Sequence, residues 1–267
     1  MKKFQIGFIG AGNIASSIYG GITSSGYIKS EKICVYDTVA NKSDAFVKNN
    51  SVVLSSATEV AMNCEYLFLT VKPQIYPSLL AEIKDFCSDC CIISVAAGIS
   101  ISYIKSCLNF DAHVVRVMPN TPLMYGFGAS ALVKVDPVTD NEFDFVKGCF
   151  DSCGITSVVD ESLINTVTAI SGSAPAYIMR FAKDYIDFAV SKGMCISEAS
   201  KLVLQTFIGS AEMIKSSSCS IEDLISMVTS PNGTTAAGLL SLDKDDFDAI
   251  VDRCLETTVK RSEELSK

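Results

Sequence analysis

The sequence is poor in the residues that most often carry a reaction. Among 267 residues there is one histidine, His113, and no nucleophile motif, metal-ligand spacing or paired-acid arrangement stands out. His113 precedes an apolar run and reads as structural. Positive charge is scarce too: 22 Lys and Arg against 30 Asp and Glu give a net charge of −8. Neither half is basic, with 12 cations against 15 anions up to residue 160 and 10 against 15 beyond it. Nucleic-acid binding relies on clustered Lys and Arg to neutralise phosphates, so the charge balance argues against such a partner. No uninterrupted apolar stretch approaches the roughly 20 residues of a membrane helix. Met1-Lys2-Lys3-Phe4 looks like the start of a signal peptide, but glycines and Asn13 interrupt the apolar run where cleavage would fall.

Cysteine, by contrast, is plentiful, with eleven in all. Most lie inside apolar strand or helix patterns (Cys34, Cys64, Cys107, Cys149, Cys254), where a free thiol behaves as a small hydrophobe. Cys87-Ser-Asp-Cys90-Cys91 contains a CxxC, yet it lacks the second pair of a zinc site and precedes a strand rather than a helix. Reduced thiols in a soluble, cytoplasmic protein are the plainer reading, with no metal expected.

The most informative stretch is Gln5-Ile-Gly-Phe-Ile-Gly-Ala-Gly-Asn-Ile-Ala15. An apolar run up to Ile9 gives way to Gly10-x-Gly12-x-x-Ala15, followed by Ile14, Ile18 and Ile22 at helical spacing. This predicts a buried strand turning tightly into a helix. Gly10 suits a positive φ, and Gly12 leaves the backbone bare for a pyrophosphate. Ala15 permits close helix–strand packing, and the free N–H groups from Asn13 onward face the anion. Asp37 closes the next apolar run, Ile33-Cys-Val-Tyr36, 22 positions past Ala15, where an acid can accept bonds from a ribose hydroxyl.

Alternating strand and helix signals continue through 66–71, 75–86, 91–95, 101–108 and 114–117, then 129–135, 141–153 and 156–159. Continuous apolar strands separated by helices specify a parallel sheet covered on both faces. From Glu161 strand signals cease and the period becomes helical, so two domains are expected, 1–160 and 161–267. The later helices carry apolar residues on more than one face, Ile178, Phe181, Ala182, Tyr185, Ile186 and Ala189 among them. Such helices need burial by something else, which points to self-association.

Three stretches fall at the C-terminal ends of expected strands, where open α/β sheets bind ligands. In Thr70-Val71-Lys72-Pro73, Pro73 fixes a turn along which a ribose can lie. Val95-Ala96-Ala97 presents small residues to a flat ring, and Asn120 between two prolines offers an amide. In the helical half, Ser173 could cap a helix that has Pro175 at an early position. Ser230-Pro-Asn-Gly-Thr-Thr235 combines hydroxyls, a flexible Asn-Gly pair and a helix start near Thr234. It reads as a pocket for an anion, with a carboxylate the suitable ligand.

These residues resemble the pyrroline-5-carboxylate reductase family over essentially the whole chain. The most specific marks are Gly172-Ser-Ala-Pro-Ala-Tyr177, Gln205-Thr206, Gly209-Ser-Ala211, Ser230 to Leu239 and Arg261-Ser-Glu-Glu-Leu265. Val71-Lys-Pro-Gln74, Ala96-Ala-Gly98 and Met118-Pro-Asn-Thr-Pro122 also match. The resemblance implies an α/β fold, a Rossmann-type doubly wound sheet followed by an all-α dimerisation domain. It implies reduction of 1-pyrroline-5-carboxylate to L-proline by hydride from NAD(P)H. Ser230, Gly233, Thr234 and Thr235 would clamp the substrate carboxylate, Thr235 facing the ring nitrogen as the catalytic contact. Glu161 falls where the family has a substrate-region acid. Ile9, Gly10, Ala11, Gly12, Asn13 and Ile14 would hold the pyrophosphate, while Thr70 to Pro73 and Val95 to Ala97 would flank ribose and nicotinamide. Homodimers through the helical domain, assembling further to decamers, are implied as well.

The chain departs from that pattern at Ala174 and Asn232, each in place of a usual glycine, and at Asp37-Thr38. Many relatives have a polar residue followed by Arg there, suited to a 2′-phosphate, and often Asn where this chain has Ala57. An Asp accepts from a 2′-hydroxyl and repels a phosphate, so the residues predict a preference for NADH. Two rivals are a β-hydroxyacid dehydrogenase and a non-catalytic dinucleotide-binding regulator. The first needs a Lys on the helix opening the second domain, where this chain has none before Lys183. The second does not need the Ser230–Thr235 loop.

Overall fold

The computed structural model describes residues 2–265. It divides into two compact units, residues 1–175 together with 257–267, and residues 176–256. The first unit is built on β1 (Phe4–Ile9), α1 (Asn13–Ser24), β2 (Ile33–Tyr36), α2 (Asp44–Lys48), β3 (Val52–Val53), α3 (Ala57–Asn63) and β4 (Cys64–Leu69). It continues with α4 (Tyr76–Ile83), β5 (Cys91–Ser94), α5 (Ile101–Leu108), β6 (His113–Met118), β7 (Gly128–Val133), α6 (Asp140–Asp151), β8 (Gly154–Val158) and α7 (Ile164–Val167). The strands form one sheet in the order β3-β2-β1-β4-β5-β6-β7-β8.

β1 to β6 pair in parallel; β1, β2, β4, β5 and β6 are short, largely buried apolar runs, whereas the edge strand β3 is exposed. One face carries Leu67, Leu69, Tyr76, Leu80, Ile92, Ile104 and Val114 under α3, α4 and α5. The other carries Phe8, Ile18, Phe46, Phe68, Ile93, Val115 and Phe150 under α1, α2 and α6. The doubly wound arrangement expected from the strand–helix alternation is therefore present, with one difference: β7 runs antiparallel to β6. Only residues 119–127, which include the turn Thr121–Tyr125 and Gly126 at φ +78°, separate the two strands. That is too short for a crossover, so the chain doubles back. α6 then supplies a crossover, and β8 pairs parallel to β7.

Thr70 and Val71 lie beyond the end of β4 rather than inside it. Pro73–Ile75 forms a 3-10 turn, so α4 begins at Tyr76. The segment 168–172 is a π turn continuing α7, and α8 (Ala174–Ser191) follows directly. Ser173 is no N-cap: its backbone is right-handed helical and its N–H donates to the Thr168 carbonyl at 2.8 Å. The helical backbone runs through this point, so the first-turn N–H groups have no cap to receive.

The second unit contains most of α8, all of α9 (Ile196–Ser216), α10 (Ile221–Met227) and α11 (Thr234–Lys244), and the first half of α12 (Phe247–Leu265). Within it Phe181, Tyr185, Phe207 and Phe247 cluster edge to face or tilted. Many other large apolar side chains are exposed in the single chain, including Ile178, Phe188, Leu202, Ile208, Met227 and Leu240. Among the described residues no helix is long and apolar enough to cross a membrane.

Candidate active site

The strand order reverses between β1 and β4, and the crevice outside the carboxyl ends there is where such sheets take ligands. A cleft of about 400 Å³ lies at that point, lined by Ile9, Gly10, Gly12, Asp37, Thr38, Thr70, Val71 and Lys72. Tyr36, Lys42 and Ala57 also face it, and α4 with its preceding turn adds Ile75, Ser78, Leu79 and Glu82 as a wall.

The glycine turn is built from both sides. Gly10 sits at φ +98°, and a Cβ there would meet the Thr70 backbone at 2.9 Å. Thr70 binds the turn in return, its hydroxyl donating to the carbonyls of Ile9 (3.0 Å) and Gly10 (2.7 Å). Ala15 is fully buried where α1 packs on the sheet. Gly12 is the N-cap of α1 and has no side chain to close it; a Cβ there would enter open space. With no acid in the first turn, the N–H groups at Asn13 and Ile14 and the positive end of the helix dipole are available to an anion. The residues present thus fit a dinucleotide pyrophosphate.

Asp37 is fastened to the same turn. Its Oδ2 accepts the Ala11 N–H and its Oδ1 the Val39 N–H, both at 2.8 Å. Ala57 brings no hydrogen-bonding side chain to the cleft. Val95, Ala96 and Ala97 follow β5 outside the cleft lining, Val95 and Ala96 being buried. Asn120 is not presented to the cleft either. Its Oδ1 accepts the Ala129 N–H at 2.9 Å, and its Nδ2 lies 3.4 Å from Ser171 Oγ. It braces the start of β7, where the reading from sequence had it offering an amide to a ligand.

Glu161 opens the segment after β8 and accepts twice on Oε1, from the Ile101 N–H (2.8 Å) and from Arg116 Nη1 (2.9 Å). Arg116 is buried and its Nε has no partner among the described residues. Beside it in the sheet, Ser94 bonds Tyr76 Oη at 3.0 Å, and burial drives the Tyr76 hydroxyl above its ordinary pKa. His113 pairs with Glu142, which also accepts from Thr139 in a capping box opening α6, a structural placement. Burial pushes the thiols of Cys34 and Cys87 up to about 12, which leaves them inert.

In the helical unit, Ser230 to Gly233 form a turn closed by the Gly233 N–H donating to the Ser230 carbonyl at 3.0 Å. Asn232 is left-handed at φ +60°, a conformation glycine takes freely and Asn tolerates. Gly233 is the N-cap of α11, and a Cβ there would lie 2.3 Å from Ser230 Oγ. A larger residue there would have to displace the Ser230 hydroxyl and crowd its carbonyl, 3.0 Å away. No side chain caps α11 and no acid occupies its first turn, so Thr234 and Thr235 begin a helix whose N–H groups are open to an anion. Sequence reasoning missed Lys42 and the α4 wall; neither stands in a motif, and only the tertiary fold brings them to the cleft.

The sheet, its switch-point cleft and the uncapped glycine turn define a dinucleotide-binding oxidoreductase with an appended helical unit. A family model described as pyrroline-5-carboxylate reductase dimerisation matches residues 161–265, and one described as NADP oxidoreductase, coenzyme F420-dependent, matches 5–98. Pyrroline-5-carboxylate reductase of Escherichia coli is 35% identical, with 100% of both chains covered. That of Arabidopsis thaliana is 34% identical over 100% of this chain and 97% of its own. The crystal structure of Plasmodium falciparum pyrroline carboxylate reductase with NADP bound superposes with a TM-score of 0.93 at 32% identity, covering 100% of each chain. The chain belongs to the pyrroline-5-carboxylate reductase family.

Proposed function

We infer that this chain reduces 1-pyrroline-5-carboxylate to L-proline with NAD(P)H, the last step of proline biosynthesis. The observation that carries the reading is the Ser230–Thr235 turn, which opens α11 as an uncapped helix N-terminus with N–H donors suited to a carboxylate. Ser230, Gly233, Thr234 and Thr235 hold the substrate carboxylate, and the Thr235 hydroxyl orients the ring nitrogen. Gly10, Gly12, Asn13 and Ile14 hold the cofactor pyrophosphate, and Asp37 the adenosine ribose. The reduced nicotinamide, when bound, supplies the hydride that converts the C=N bond to an amine. Because the iminium carbon is already electrophilic, positioning by the protein supplies most of the remaining effect, and the proton on nitrogen comes from solvent. This explains why no His or paired acid stands at the site.

Asp37 next to the uncharged Thr38 favours a ribose with a free 2′-hydroxyl, so NADH is the preferred cofactor. The helical unit forms a homodimer. Its exposed Ile178, Phe188, Leu202 and Ile208 support this. So do Gly209 and Gly238, which sit inside helices facing open space although nothing in this chain requires glycine there. The buried thiols suit the reducing cytoplasm.

An assay following NADH or NADPH loss with pyrroline-5-carboxylate, run beside a 3-hydroxy acid with NAD+ or NADP+, tests the reading. Turnover of the imine alone is expected. Turnover of the hydroxy acid alone would indicate a β-hydroxyacid dehydrogenase, and no turnover with intact nucleotide binding a regulator.

A further inference from the structure

Behind the cofactor cleft stands a buried hydroxyl that joins three of its supports. Tyr76 opens α4, is fully buried, and donates from Oη to the Leu69 carbonyl at 2.9 Å. Ser94 Oγ lies 3.0 Å from the same oxygen. A carbonyl can only accept, so Tyr76 uses its one proton on Leu69 and the Ser94 hydroxyl donates to Tyr76. The Ala96 backbone N–H acts on that oxygen as well. Burial drives the phenol pKa upward, so the group stays protonated and the order Ser94 to Tyr76 to Leu69 is fixed. Leu69 and Ser94 are paired residues, the last of β4 and of β5. Beyond them the ladder ends. The chain continues from β4 as Thr70–Lys72, which lines the cleft, and from β5 as Val95–Ala97, which does not. Thr70 grips the glycine turn through the Ile9 and Gly10 carbonyls, and α4 gives the cleft Ser78, Leu79 and Glu82. One hydroxyl thus ties the glycine-turn side, the α4 wall and the loop after β5 where backbone pairing stops.

We propose that the Tyr76 hydroxyl is a positioning group for hydride transfer, holding the Val95–Ala97 loop at a set distance from the Thr70–Lys72 loop so that the nicotinamide lies in register with the rest of the cofactor. It touches neither cofactor nor substrate and acts through the two loops. This rests on the reading that those loops flank the ribose and nicotinamide of NAD(P)H, and the test separates the two. Tyr76→Phe removes the oxygen and keeps the ring in the core. Binding of NADH and of ADP-ribose, which lacks the nicotinamide, is measured by calorimetry on the full chain, beside kcat and KM for pyrroline-5-carboxylate. Loss of the tie is expected to weaken NADH about 5-fold while ADP-ribose changes less than about 2-fold. It should also lower kcat about 10-fold with little change in the KM of the imine. Ser94→Ala breaks only the β5 half and should give a smaller loss of the same kind, with no further loss when added to Tyr76→Phe. Leu80→Val, in the same core, controls for stability: it lowers the thermal midpoint and leaves the NADH-to-ADP-ribose binding ratio unchanged. Equal weakening of both ligands, no weakening, or the same change of ratio in Leu80→Val would overturn the proposal. If Tyr76→Phe does not fold, Ser94→Ala decides by the same ratio. If the unmodified chain binds both ligands but turns over no imine, the proposed reaction fails while the binding ratio still decides the role of Tyr76. If it binds neither, the cleft is not the cofactor site and the proposal falls with that reading.

Discussion

Arg116 and Glu161, 45 residues apart, meet as an ion pair with Nη1 2.9 Å from Oε1, and the same carboxylate oxygen accepts the first N–H of α5. One acid thereby ties the end of β6, the start of α5 and the segment leaving the sheet. Its role in this geometry is to position those three parts. Removing it strands a buried guanidinium and an N–H donor at once. Glu161→Ala is expected to cost about 2–3 kcal/mol, at or below the range for breaking a buried pair because the Glu161 side chain is 29% exposed. Urea unfolding at pH 7 measures it, and a loss under about 0.5 kcal/mol would remove the pair from the account. Arg116→Met with Glu161→Leu should recover most of the loss, since no lone charge then remains.

That acid marks the limit of what the residues alone disclose. Strands β1, β2 and β4 to β6 are legible because each is a short apolar run between helical periods, and the glycine turn because its spacing has a steric reason. The start of α11 is legible for the same cause. Ser173 is misread because helical backbone continues through an apparent cap, and the partners of Glu161 and Asn120, 9 to 60 positions away, are not legible at all. Nothing local distinguishes an amide that braces Ala129 from one that waits for a ligand. The direction of β7 is likewise set by the length of a turn, which apolar patterning does not encode.

The proposed NADH preference assigns to Asp37 the choice between the two nicotinamide cofactors. A carboxylate near a 2′-phosphate is repelled even though two N–H groups hold it, and neutralising it removes that term. Asp37→Asn is expected to raise the NADPH-to-NADH ratio of kcat/KM by roughly 10-fold, about the effect of two like charges at 5 Å in a partly hydrated cleft. The amide oxygen can still accept the Ala11 N–H, so the glycine turn should survive. A ratio unchanged from that of the natural chain, or one already favouring NADPH before mutation, would reject the role given to Asp37.

Thr235 is exposed in the single chain and stands in the first turn of α11, so its substitution should not disturb folding. Thr235→Ala is expected to lower kcat/KM for pyrroline-5-carboxylate by roughly 10–100-fold, the loss of one positioned hydrogen bond, with thermal midpoint and NADH binding unchanged. Thr235→Ser keeps the hydroxyl and should retain most of the activity. Full activity in Thr235→Ala would take the residue out of the mechanism.

Gly10 and Gly12 stand two residues apart and should fail in opposite ways. At Gly10 an alanine would adopt φ +98° with its Cβ 2.9 Å from the Thr70 backbone, which cannot move without breaking the Thr70 bonds to Ile9 and Gly10. Gly10→Ala is expected to destabilise the protein by about 2–3 kcal/mol, a strained dihedral plus displaced backbone. At Gly12 the backbone is extended and the Cβ meets nothing, so Gly12→Ala should cost well under 1 kcal/mol in the free protein. Its methyl group would instead occupy the approach of the pyrophosphate to the α1 N-terminus, weakening NADH binding by more than about 10-fold. Thermal melts with and without NADH separate the two: Gly10→Ala lowers the midpoint in both conditions, whereas Gly12→Ala loses only the increment that cofactor adds. If Gly12→Ala kept that increment in full, the phosphate path over α1 would be wrong.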